Sequence, residues 1–238
     1  MITFDFDQIA PLCAGFGVEL TPEIRARLTE YGGLLTEWNE KMNLTAITEP
    51  QEILYKHFYD CLLFFKAVSV PQNARVIDVG TGAGFPGLVL KIARPDIRLT
   101  LLDGLNKRLI FLNEVLSRLG LSAETVHLRA EEAGRSPRFR EQYDIACARA
   151  VAALPVLCEY CLPLVAPGGL FVSMKGSGGR EEAASAANAV RLLGGGQTDI
   201  ICENLRENEP RSFILIKKIS QTPPKYPRSG GKIAKSAL

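Results

Sequence analysis

Apolar spacing divides the chain into two regimes. Ile24, Leu28, Tyr31, Leu34 and Leu35 recur at helical intervals behind Thr21-Pro22, an N-cap followed by proline at the first helical position. A polar loop over residues 39–48 follows, then a second apolar-periodic run over residues 53–68, before Pro71-Gln72-Asn73 marks a boundary. Residues 1–70 are therefore expected to form an N-terminal helical extension. From Arg75 onward, short β-branched or leucine-rich runs alternate with longer amphipathic ones. Strands are expected at 75–79, 97–103, 123–128, 143–149 and 170–175, with helices at 87–93, 107–119, 154–164 and 181–193. Such alternation builds a parallel sheet covered by helices on both faces. Two last runs, 197–203 and 212–219, have no room for a helix between them and should pair as an antiparallel edge hairpin. The expected class is α/β, a doubly wound, mostly parallel sheet with an antiparallel C-terminal hairpin. Residues 71–220 would form this domain and residues 221–238, with three prolines and paired glycines, a basic mobile tail.

Composition narrows the setting. Among 238 residues, 47% are apolar and 23% charged, which suits a globular protein and not a disordered one. The net charge is only +2, but residues 1–70 hold five basic and ten acidic side chains, so the remainder carries +7. No acid follows Glu209, whereas Arg211, Lys217, Lys218, Lys225, Arg228, Lys232 and Lys235 do. That polarity points to a face or tail that meets a polyanion. The acidic start MITFDFDQ does not suit a signal peptide, and the most apolar stretch is broken by prolines and Glu159, so a cytoplasmic protein without a membrane partner is expected. Six scattered cysteines suit a reducing compartment. Cys158-x-x-Cys161 lies on a helical run with no second pair at metal spacing, so burial is the better reading and no metal is expected. Arg135, Arg138 and Arg140 read as a solvated loop within reach of phosphate.

The strongest local signal is Asp78-Val79-Gly80-Thr81-Gly82-Ala83-Gly84-Phe85-Pro86-Gly87, directly after the first strand. Alternating glycines let the backbone turn tightly and approach a ligand. Asp103 closes the next strand, where a carboxylate can take ribose hydroxyls. Gly82-x-Gly84-x-x-Gly87 fits a dinucleotide fingerprint, while Asp78-x-Gly80-x-Gly82-x-Gly84 fits the loop of S-adenosylmethionine enzymes. Asp78 would suit a ligand bearing an ammonium and a sulfonium and repel a pyrophosphate. The terminal hairpin agrees, because a plain dinucleotide-binding fold would continue with another crossover helix. The sheet is thus expected to be of class I methyltransferase type. A nicotinamide-dependent oxidoreductase using the same loop, or a non-catalytic RNA-binding assembly protein, are the alternatives.

Taken together, the segments resemble the glucose-inhibited division protein B family, the small-subunit ribosomal RNA guanine-N7 methyltransferases. The resemblance rests on Trp38-Asn39-x-x-x-Asn43-Leu44-Thr45, His57-x-x-Asp60, the glycine loop, Leu102-Asp103-Gly104-Leu105-x-Lys107-Arg108, Arg129-Ala130-Glu131-Glu132, Arg149-Ala150-Val151-Ala152, Gly168-Gly169 through Lys175-Gly176, and Tyr226-Pro227-Arg228. It implies S-adenosylmethionine as methyl donor and 16S ribosomal RNA, or the small ribosomal subunit, as partner. The donor would be held by Asp78, Gly80, Gly82, Gly84, Phe85, Asp103, Ala130, Glu131 and Arg149. Lys225, Arg228, Lys232 and Lys235 are expected to touch RNA, and the protein to act as a monomer.

Guanine N7 carries a free electron pair and no proton, so no general base is needed and no catalytic residue is assigned. Alignment is the task, worth up to about 7–11 kcal/mol. The fourth strand ends Ile145-Ala146-Cys147-Ala148-Arg149, without the Asn/Asp-Pro-Pro-aromatic run of amino-group methylases. Cys147 lies inside that strand and reads as a buried small hydrophobe, not as a nucleophile. Arginine forking onto guanine O6 and N7 would cover the reacting pair, so Arg149 is assigned to the cofactor or to the RNA backbone. N7 is out of reach in an RNA duplex, so a loop or extruded guanine is required. Phe85, Trp38 and His57 are candidates to stack on it, the last two being equally suited to packing.

Overall fold

The computed structural model describes residues 2–238. Five strands run parallel: β1 (Arg75–Val79), β2 (Arg98–Asp103), β3 (Glu124–His127), β4 (Tyr143–Arg149) and β5 (Val165–Lys175). β6 (Gly195–Asn204) and β7 (Pro210–Lys218) form an antiparallel hairpin, with β7 inserted beside β5. The order across the sheet is β3-β2-β1-β4-β5-β7-β6. β1 and β2 are buried along all but their first residue, as strands covered on both faces must be. One face is covered by helices Gly87–Ala93 and Asn106–Leu119 together with the N-terminal helix Pro22–Met42. The other carries Leu154–Cys161 and the pair Gly179–Ser185 and Ala187–Leu192. Strand order reverses between β1 and β4, which opens a crevice beyond their C-terminal ends.

Local chemistry explains the helix boundaries. Thr21 Oγ1 accepts from the Ile24 amide at 3.3 Å, the cap expected of Thr-Pro. Asn43 ends the same helix in the left-handed region, at φ 49° and ψ 56°. Three expectations are corrected. The helix expected over 181–193 breaks at Ala186, and β5 begins at Val165, five residues before position 170. The run expected as a helix over 53–68 is helical over residues 50–67 but widens into a π turn at Leu54–Tyr59. Such turns arise often at functional sites, and this one carries Lys56 and His57 and leads directly into Asp60.

The largest correction concerns residues 221–238, which are packed against the domain instead of forming a free tail. Thr222, Tyr226 and Ile233 are buried. Arg140 donates to the carbonyls of Thr222, Tyr226 and Gly134, and Arg135 to that of Pro227. These arginines, expected in a solvated loop, are the clamp of the C-terminal segment. Lys218, fully buried, donates to the carbonyls of Leu162 and Leu193 and to Thr222 Oγ1. Arg228 meets the fully buried Glu159 with its backbone amide at 2.7 Å and its guanidinium at 2.6–3.1 Å. Arg211, Lys218 and Arg228 are therefore committed to internal partners, so the C-terminal cation excess overstates what is free for a polyanion. The N-terminal acids likewise meet the hairpin: Glu52 pairs with Arg206 and Asp60 with Arg211, while Lys66 pairs with Glu203.

No helix among the described residues is long and apolar enough to cross a membrane, and no group of three or more His, Cys, Asp or Glu side chains among them could hold a metal ion. Arg228→Ala leaves the Glu159 carboxylate buried without its partner and should destabilise the fold by about 3–5 kcal/mol. Chemical denaturation checks this, and an unchanged stability would show that the pair does not anchor the C-terminal segment.

Candidate functional site

Two cavities meet in the crevice. The first, about 510 Å³, is lined by Leu44, Thr45, Lys56, His57, Asp60, Gly80, Gly82, Phe85, Arg108, Arg149, Lys175 and Arg211 among others. The second, about 390 Å³, is lined by Asp103, Leu105, Leu128, Ala130, Glu131, Val151 and Tyr160 among others. Gly80, Arg108 and Ala150 belong to both, so they are two ends of one cleft.

The glycine loop forms the shared floor. The amides of Gly80 and Thr81 both donate to Leu102 O, tying β1's exit to β2. Gly82 has φ +60°, and a Cβ there would meet only Gly80 O at 3.9 Å. Any side chain would thus be strained and would project into open space. Its amide donates to Asp103 Oδ2 at 2.9 Å, while Asp103 Oδ1 accepts from the Leu105 amide at 2.8 Å. Arg108 completes the ring around this nearly buried carboxylate at 3.3 Å.

Asp78, expected beside the ligand, lines neither cavity. It is fully buried, and its Oδ2 accepts from Thr81 Oγ1 at 2.7 Å and from the Gly87 amide at 2.9 Å, bolting the loop to the following helix. Its Oδ1 is buried with no partner, and burial pushes its carboxyl up to about 6 against the pull of those two donors. Gly84 also lines neither cavity; a Cβ there would collide with Tyr31 Oη and Leu112. Gly80, Gly82, Phe85 and Arg149 do line the first cavity, and Gly80, Asp103, Ala130 and Glu131 the second.

Arg149, at the end of β4, is fixed on three sides. Its Nη1 donates to Asp60 Oδ2 at 2.7 Å and to Lys56 O at 2.9 Å, and its Nη2 to His57 Nδ1 at 3.2 Å. The guanidinium lies 5.0 Å from the centroid of the Phe85 ring. Asp60 gives its other oxygen to Arg211 Nε at 2.6 Å. Burial and the neighbouring Arg149 cation hold His57 down at about 3, so the imidazole is neutral. The ring stacks on Phe85 at 4.3 Å, and Phe85 stacks in turn on Tyr31 at 5.3 Å. Phe85 is therefore a spacer inside a stack and only 6% exposed, not a free platform for a base. Trp38 lines neither cavity and packs on Phe111.

Lys225, Lys232 and Lys235 are exposed on the C-terminal segment, but neither they nor Arg228 line the cleft. The nearest link is Gly230, where a Cβ would meet Glu131 Oε1. The residues that sequence reasoning did not place at the cleft are Thr45, Lys56, Asp60, Arg108, Lys175 and Arg211, the last read only as part of the basic C-terminal run. Thr45, Asp60, Arg108 and Lys175 stood inside the family-like markers, but their convergence depends on the π turn and on β7's insertion beside β5. Cys147 is buried in β4 against Ile77 O, and burial raises its thiol far above the ordinary range, which removes it as a nucleophile.

A sequence model described as rRNA small subunit methyltransferase G matches residues 24–209. The chain belongs to this family. It is 50% identical over 227 residues to the ribosomal RNA small subunit methyltransferase G of Acetivibrio thermocellus, covering 94% of this chain and 93% of that one. The protein of the same name from Clostridium perfringens (strain 13) is 45% identical over 237 residues, covering 98% of each. Among solved structures, a predicted O-methyltransferase from Agrobacterium tumefaciens superposes with a TM-score of 0.53 at 18% identity, over 65% of this chain and 78% of that one. An S-adenosylmethionine-dependent O-methyltransferase from Thermotoga maritima gives 0.51 at 14% identity, over 79% and 73%. These two likenesses concern the fold alone, which is that of the class I methyltransferases, as the strand–helix alternation, the glycine loop and the edge hairpin led us to expect.

The buried Asp78 carboxyl yields a prediction. Its value in the folded protein lies above the unfolded one, so it stabilises the fold below about pH 4, and that contribution is lost as pH rises toward 6. A rise from 3.8 to about 6 corresponds to roughly 3 kcal/mol. The stability of the wild type minus that of Asp78→Asn should therefore fall by up to this amount between pH 4 and 7. A difference that does not change with pH would contradict the burial of an ionisable group there.

Proposed function

We propose that this chain transfers a methyl group from S-adenosylmethionine to N7 of a guanine exposed in a loop of 16S ribosomal RNA, in the cytoplasm. The observation that carries the reading is the pairing of a two-ended cleft at the switch point with family membership across most of the chain. The residues suit the donor. Asp103 and Glu131 offer carboxylate acceptors for ribose hydroxyls, and Leu105, Leu128, Val151 and Tyr160 give apolar walls for a flat base. The open space over Gly82 admits a ligand against the backbone. When bound, S-adenosylmethionine supplies an electrophilic methyl group.

What the chain's own residues contribute is alignment and charge. Arg149 is immobilised by Asp60, Lys56 O and His57, so its cation is preorganised and pays little ordering cost on binding. Lys56, Arg108 and Lys175 line the first cavity and suit a phosphate backbone entering it, while Arg211 on the same wall is held by Asp60. His57 is neutral with its Nδ1 occupied, which suits a reaction with no proton to remove. The unpaired lysines of the C-terminal segment would contribute at a distance from the cleft, and Arg228 through stability.

Two outcomes are expected. Ribosomal RNA from cells lacking this protein should gain N7-methylguanine on incubation with it and S-adenosylmethionine, read by nucleoside mass spectrometry. No transfer would overturn the proposal. Asp103→Asn should raise the dissociation constant for S-adenosylmethionine by roughly 10–100-fold, the range for lost charged hydrogen bonds. Unchanged affinity in calorimetry would remove Asp103 from the donor site.

A further inference from the structure

We propose that the Thr45 hydroxyl is the group that reads the target base, donating its proton to O6 of the guanine; this rests on the function proposed above. The guanidinium of Arg149 can only donate. His57 Nδ1, 3.2 Å from Arg149 Nη2, must therefore accept, so the ring proton of the neutral imidazole sits on Nε2. Nε2 lies 2.9 Å from Thr45 Oγ1, which must accept that proton's hydrogen bond. The Ile47 amide donates to the same oxygen at 3.0 Å. A hydroxyl has two lone pairs and one proton. Both lone pairs of Thr45 are taken, and its half-buried side chain lines the first cavity. Only its proton remains to offer.

The surrounding chain holds the hydroxyl there. Asn43 turns the backbone out of the helix through the left-handed region, and Asn39 Oδ1 accepts from the Thr45 amide at 2.8 Å. The other hydroxyls on this wall are placed differently: Thr81 already donates to Asp78, and Ser212 is 5% exposed against Gly179.

A single-proton donor is what the chemistry needs. Guanine presents O6 and N7 as adjacent acceptors on one edge, whereas adenine presents an amino donor in place of O6. An arginine fork would cover N7, the atom that must react, and Arg149 has both terminal nitrogens committed elsewhere. One hydroxyl can satisfy O6 and leave N7 bare. The charged side chains around the cavity reinforce the choice: Lys56, Arg108, Arg149, Lys175 and Arg211 are donors, and both oxygens of Asp60 are engaged. Adenine's amino group would face donors.

The test is single-turnover methyl transfer to semi-synthetic ribosomal RNA carrying guanine, inosine or 2-aminopurine at the target. Inosine keeps O6 and 2-aminopurine lacks it. Wild type, Thr45→Val and Thr45→Ser are compared, with S-adenosylhomocysteine affinity measured for each by calorimetry. Wild type should be about tenfold slower on 2-aminopurine than on guanine or inosine. Thr45→Val should lose about tenfold on guanine and inosine but no further rate on 2-aminopurine, while Thr45→Ser keeps the wild-type pattern. Equal losses on all three bases would overturn the assignment. Weakened S-adenosylhomocysteine binding in Thr45→Val would move Thr45 to the donor side. Failure of wild type on every substrate would instead contradict the proposed function.

Discussion

One carboxylate, that of Asp60, joins the N-terminal helices to two strands of the sheet. It is 4% exposed and divides its oxygens between Arg149, at the end of β4, and Arg211, on β7. A buried acid between two arginines is costly unless every partner is in place, so the three residues fix one relative position of three elements. The π turn is part of the same constraint. Widening the helix at Leu54–Tyr59 brings Lys56 O and His57 onto the Arg149 guanidinium just before Asp60 is reached. Arg149 in turn lies over Phe85, whose ring is stacked through Tyr31 to the core. The floor of the cleft is thereby set by packing that extends from solvent to the centre of the molecule.

On the proposed function, this arrangement suits a site that aligns reactants and moves no protons. The imidazole is kept neutral by burial and by a fixed cation, and its two nitrogens are both occupied by protein. The acid in the glycine motif faces the helix behind the loop, and the acid at the end of β2 props the loop from the front. The two carboxylates thus hold one segment of backbone from opposite sides. The charge asymmetry of the chain has a similar inward use, since acids of the first seventy residues pair with arginines of the hairpin.

The sheet was legible because its signals are local: β-branched runs, the spacing of glycines, and a loop too short for a crossover. The hairpin, the Thr21 cap and most strand limits follow from those signals alone. The π turn, the break at Ala186 and the early start of β5 do not, because tertiary contacts decide them. Within the site, Gly80, Gly82, Phe85, Asp103 and Arg149 could be found from motif position, yet their partners could not. Asp78 misled because sequence shows that an acid is present and not which way it points. The C-terminal segment misled because proline and glycine are equally at home in a free tail and in an ordered strap, and only Arg135, Arg140 and Glu159, far away in sequence, distinguish the two.

Alignment by a fixed cation in place of proton transfer is tested most directly by the pH dependence of single-turnover methyl transfer at saturating RNA and S-adenosylmethionine. Above the Asp78 carboxyl's value of about 6, the rate should be flat to about pH 8.5, because neither the reacting nitrogen nor His57 changes its protonation there. A rate that climbs tenfold per pH unit to a plateau near pH 6.5, and loses that climb in His57→Gln, would show a base at work and contradict it.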